Sequence, residues 1–164
     1  RAQGKSTFVT HQEEITDATH RSLAASLFNH TWALLDKKNR TAEDDINMVH
    51  CAHASRYHWS IVGTPLNFAR GEWQVARVYA TLEHWAEALR HATLYFDACV
   101  HHDFGPFDLA FAHEGLARAL ATNNPEEALK HIMQAKTVGE RIEKDEDRNW
   151  LHKNLDFIQT SIDG

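Results

Sequence analysis

Chain breakers are scarce and well separated, and that constrains the fold more than any other feature. Only three prolines (Pro65, Pro106, Pro125) and seven glycines punctuate 164 residues. Average usage would supply roughly 20 of the two together. Alanine occurs 22 times, while valine and isoleucine occur seven times each. Long uninterrupted segments rich in alanine and poor in β-branched residues favour closely packed helices over strands. The expected fold class is therefore all-α. At this length one domain with a continuous core is the natural unit.

The breakers and capping signals divide the chain into seven helices. The first is expected from about Thr16 to Lys37, with Leu23, Leu27 and Leu34 at helical spacing. Thr41 with Asp44 three residues later reads as a capping box opening a helix over about 42–62. Gly63-Thr64-Pro65 ends it and starts a third helix that runs to about Leu82. A fourth helix follows from near Glu83 to about Val100. His101 to Pro106 reads as a loop, and a fifth helix covers about 107–122. Pro125 opens a sixth that reaches about Ile142. Asp145 is the expected cap of a seventh, whose stripe is Leu151, Leu155, Ile158 and Ile162.

Internal similarity arranges these helices. A shift of about 40 residues superposes Ala76, Ala88 and Tyr95 on Leu116, Ala128 and Ala135, and matches Ala88-Leu89 with Ala128-Leu129. With these residues the chain resembles tetratricopeptide-type repeats, over roughly 69–142. It departs from them in its longer period and in carrying Glu72, Val75 and Ala76 where the family opens with Trp-Leu-Gly. The resemblance implies one domain over 1–164, a right-handed stack of helical hairpins. The hairpins would be a divergent one over 16–62, then 65–100 and 107–142, with a capping helix over 146–162.

Composition narrows the partners. The net charge is −6 and the pI about 6.1, which argues against nucleic acid or an anionic membrane as the main partner. No segment approaches the roughly 18 apolar residues of a membrane span. The N-terminal residues show no signal-peptide pattern. Cys51 and Cys99 stand alone, without a disulfide framework or a metal knuckle, as expected for a cytoplasmic protein. No cofactor motif is present: there is no glycine-rich phosphate loop, nucleophile elbow or HExxH.

Thirteen histidines are unusual for a chain of this length. His50 and His53 lie one turn apart on a face with Ile46, Val49, Tyr57 and Ile61, and so are expected to point into packed structure. Two imidazoles at that spacing are the candidate metal ligands, although a complete site needs more. The third helix carries a polar stripe of Asn67, Arg70, Gln74 and Arg77 among apolar residues. Guanidiniums in such a setting need partners, and Asp108 and Glu114 of the fifth helix are the candidates. Glu114 and Arg118 also read as an i,i+4 surface pair.

In the repeat register, the resemblance places Arg70, Trp73 and Arg77 on a concave groove. The leading expectation is a non-enzymatic module that binds an acidic protein or peptide through Asn67, Arg70, Trp73, Gln74, Arg77 and Glu114, with a homodimeric scaffold as a further reading. The alternative is a small-molecule or metal-dependent enzyme using a pocket of His50, His53, Arg70, Arg77 and Glu114.

Overall fold

A computed structural model describes residues 14–164. Seven helices follow in order: α1 (Asp17–Asp36), α2 (Ala42–Val62), α3 (Pro65–Thr81), α4 (Trp85–His102), α5 (Pro106–Leu120), α6 (Pro125–Gly139) and α7 (Asp145–Asp163). Among the described residues there is no strand, and no helix is long and apolar enough to cross a membrane.

The local chemistry explains most boundaries. Thr16 and Thr41 cap α1 and α2 through their side chains, and Asp44 closes the α2 capping box. Thr64 and Asn67 form a second capping box at α3, with Pro65 in its first turn. Several expected boundaries shift, and α6 ends at Gly139 rather than near Ile142. α4 starts at Trp85 rather than near Glu83, because Glu83 takes φ 60° and closes α3. His101 and His102 belong to α4, which ends at a left-handed Asp103. Asp145 is the first residue of α7 rather than its cap, and it pairs with Arg148 inside the first turn.

Consecutive helices pack against one another, and the odd helices also form a layer in which α1 touches α3, α3 touches α5 and α5 touches α7. The residues matched by the 40-residue shift lie in the core: Ala76, Ala88, Tyr95, Leu116, Ala128 and Ala135 are all buried. Small residues at these crossings let helices approach closely. Ala76 meets Ala92 and Leu116 in one cluster, and Ala80 meets Ala88 and Ala119 in another. The main core gathers Trp73, Tyr95, Phe111, Ile132, Leu151, Leu155 and Ile158, so α7 seals the end of the layer.

The buried face of α2 is not the expected one. It consists of Met48, Ala52 and Ser55, and Ser55 donates to the Ala24 carbonyl at 2.7 Å. His50 and His53 are exposed, as are Ile46, Tyr57 and Ile61. α2 lies between α1 and α3, and small residues face those neighbours because they allow close approach.

Candidate functional site

The odd helices carry a groove with two cavities. The first, of about 370 Å³, is walled by the rings of Phe28, Trp32, Trp59, Trp73, Phe107 and Trp150, with Asn67 and Arg70 as its polar members. The second, of about 600 Å³, is lined by Trp32, Asp36, Arg77, Arg118, Trp150, Lys153, Asn154 and Phe157. In each odd helix the earlier residue lies at the first cavity and the later one at the second: Phe28 and Asp36, Asn67 and Arg77, Phe107 and Arg118, Trp150 and Phe157. The four helices therefore run in the same direction and the groove follows their axes. From Trp150 to Phe157 it extends about 10 Å.

Trp32, Trp73 and Trp150 form the divide between the cavities. Their centroids are 5.6 Å apart for Trp32–Trp73, 5.8 Å for Trp73–Trp150 and 6.4 Å for Trp32–Trp150, all in edge-on geometry. Trp73 is only 5% exposed and forms the floor, whereas Trp150 stands at the rim. The Trp73 Nε1 donor is buried without a partner among the described residues.

α5 supplies carboxylates to both arginines of α3. Arg70 donates from Nε and Nη2 to Asp108, each at 3.0 Å, and Tyr95 donates to the same carboxylate at 2.7 Å. Asp108 is buried, and the hydrogen bond to it raises the pKa of Arg70. Burial pushes the Tyr95 hydroxyl well up, and the Asp108 charge adds to this. Arg77 reaches both oxygens of Glu114 at 3.2 and 3.3 Å, and Arg118 approaches the same group at 2.7 Å. Glu114 has no exposed surface, so Glu114 and Arg118 are a buried pair rather than a surface pair. Burial opposes ionisation of Glu114, but Arg118 and Arg77 outweigh it and hold its pKa below the usual range.

One carboxylate thus serves two guanidiniums. Adding Lys153 and the opposing Asp36, the second cavity has three cations against two carboxylates. Arg77 also lies over the Trp32 ring at 5.8 Å and Arg118 over Phe157 at 5.2 Å.

Of the expected site residues, Asn67, Arg70, Trp73 and Arg77 line the groove and Glu114 lies beneath it. Gln74 is fully buried and donates to the Phe28 carbonyl at 2.8 Å, fastening α3 to α1. His50 and His53 do not join these residues. His53 bonds instead to the Tyr79 hydroxyl at 2.8 Å, and its ring lies 5.6 Å from His91. Among the described residues no three His, Cys, Asp or Glu side chains are grouped to hold a metal ion. Glu72 faces a different set, Arg56 at 3.0 Å and His91 at 2.6 Å. Burial pushes the Cys99 thiol up to about 12, which leaves it unreactive.

The groove has a wall that the repeat pattern did not indicate. Trp150, Lys153, Asn154 and Phe157 of α7 line it, on the face beside the Leu151, Leu155 and Ile158 core stripe. The signal available in sequence was a second aromatic pair, seven residues apart, on a helix that already had a full apolar stripe. No family model matches the chain, and neither a curated protein nor a solved structure matches it.

Proposed function

We propose that this chain is a non-enzymatic interaction module, a right-handed tetratricopeptide-like stack whose concave groove binds an acidic segment of a partner protein. The observation that carries this reading is the cation excess around Glu114. Arg77 and Arg118 share one buried carboxylate and Lys153 stands beside them in a cavity of about 600 Å³. A carboxylate entering there restores charge balance and meets guanidiniums already held in place. The neighbouring aromatic cavity offers apolar area to the same segment.

A fluorescent decapeptide of alternating glutamate and alanine tests this by anisotropy. Binding should weaken steeply with added salt and drop several-fold in Lys153→Glu, which reverses one charge at an exposed position. No binding at low salt, or equal binding by Lys153→Glu, refutes the proposal.

A further inference from the structure

The two halves of the groove differ in their chemistry, and the aromatic half has a donor and acceptor pattern of its own. Asn67 sits at the start of α3, and its Oδ1 accepts from the Thr64 amide at 2.9 Å and from the Thr64 hydroxyl at 3.0 Å. Both lone pairs are used and the orientation of the amide is fixed, because the Thr64 N–H must meet an oxygen. What remains of Asn67 is its NH₂ group. Arg70 commits Nε and Nη2 to Asp108, which leaves Nη1 without a partner among the described residues. The other polar atoms of the lining are indole N–H groups, which donate only. Every uncommitted side-chain polar atom around this cavity is therefore a donor, and the remaining wall is ring carbon.

We propose that this cavity binds a planar aromatic group that carries hydrogen-bond acceptors, with a carboxylate or carbonyl oxygen facing Asn67 Nδ2 and Arg70 Nη1. Six rings on five helices offer edges and faces to an entering ring, contacts that an aromatic ring uses better than an aliphatic one. At about 370 Å³ the space is at the small end of ligand cavities, room for one ring system and its substituent. A ligand ammonium finds no uncommitted side-chain oxygen in the lining, and the Arg70 charge offsets the attraction of the ring faces for a cation. The inference deepens the acidic-segment reading, because an aromatic residue of that segment, with its own carbonyl oxygens, has this chemistry. A free aryl carboxylate has it too.

The test uses the full chain and 3-phenylpropionate, followed by calorimetry and by tryptophan fluorescence. The carboxylate should bind more tightly than 3-cyclohexylpropionate and far more tightly than 3-phenylpropylamine. Asn67→Asp keeps the oxygen that caps α3 but replaces the donating NH₂ with a second acceptor. It should lose about tenfold or more in affinity, the scale of one hydrogen bond to an ionised group, with its melting temperature retained. Lys153→Glu, in the other cavity, should bind 3-phenylpropionate within about twofold of the parent, a change of well under one such hydrogen bond.

A second arm compares the acidic decapeptide with a version carrying one central phenylalanine. Tighter binding of that version, lost in Asn67→Asp, identifies the ring as part of the segment. Binding of 3-phenylpropionate alone identifies a free acid. Equal or tighter binding of the amine, an unaffected Asn67→Asp, or no binding by any aryl probe overturns the inference. If acidic peptides bind regardless of the phenylalanine while the aryl probes fail, the inference falls and the interaction module stands. If the aryl acid binds in an Asn67-dependent way while acidic peptides do not, the reverse holds.

Discussion

Arg77 of α3 holds Glu114 of α5 through both carboxylate oxygens, at 3.2 and 3.3 Å, and Glu114 has no exposed surface. Arg118 holds the same group at 2.7 Å, so the three charges form one unit with unequal parts. Glu114→Ala leaves two nearly buried guanidiniums facing each other, and should cost about 3–5 kcal/mol. Arg77→Ala leaves the carboxylate with Arg118 still bound, and should cost less, about 1–3 kcal/mol. Urea melts of the two variants check the order. Equal costs would show that Arg118 gives Glu114 no independent support.

The second arginine of α3 has a more one-sided partnership. Asp108 is 2% exposed while the Arg70 side chain is 40% exposed, so the burden falls on the carboxylate. Arg70→Ala leaves Asp108 with only the Tyr95 hydroxyl, and should cost about 2–4 kcal/mol after allowing for the solvated guanidinium. Asp108→Asn removes the stranded charge while keeping an acceptor for Tyr95. Placed in the Arg70→Ala background, it should recover more than half of the loss. Failure to recover any would mean that Arg70 acts by covering Phe107, over which it lies at 5.6 Å, rather than by charge.

The helix pattern was legible because it rests on local chemistry: prolines at 65, 106 and 125 and the Thr41–Asp44 box each act within one turn. The arginine partners were legible for a different reason. A guanidinium on a nearly buried helix requires a carboxylate, and α5 offered Asp108 and Glu114. The orientation of α2 was not legible, since it carries apolar residues all round. Its exposed Ile46, Tyr57 and Ile61 read as core, while Met48, Ala52 and Ser55 hold that place. The α7 wall was hidden too, because nothing local in Trp150 records that the stack brings it within 6.4 Å of Trp32.

Histidine bonds tie neighbouring helices together. His113 of α5 meets His131 of α6 Nδ1 to Nδ1 at 2.9 Å, so one ring must donate and the other accept. Burial, with the neighbouring His131 charge adding to it, lowers the pKa of His113 from 6.5 to about 4. The folded state therefore holds fewer protons than the unfolded chain between these values. Stability from this site is complete above about pH 6.5 and is lost as pH falls toward 4, by an amount on the order of 2–3 kcal/mol. His113→Leu should flatten the slope of urea stability against pH by about one proton across that window. An unchanged slope would place the titrating group elsewhere.

The turn between α3 and α4 contains a built-in cost. Glu83 adopts φ 60°, while the His84 amide reaches the Tyr79 carbonyl at 2.9 Å and the Glu83 amide reaches that of Ala80 at 3.1 Å. This pair of bonds is the motif in which glycine usually follows the helix cap. A left-handed glutamate loses about 1–2 kcal/mol relative to a right-handed one, and glycine avoids that loss at the expense of a more flexible unfolded chain. The Glu83 side chain is exposed and has no ion pair among the described residues, so its removal breaks no such contact. Glu83→Gly should therefore raise stability by about 0.5–1 kcal/mol, whereas Glu83→Val, β-branched in the same conformation, should lower it. Paired thermal melts decide the matter: a destabilised glycine variant would mean that the glutamate side chain itself supports the turn.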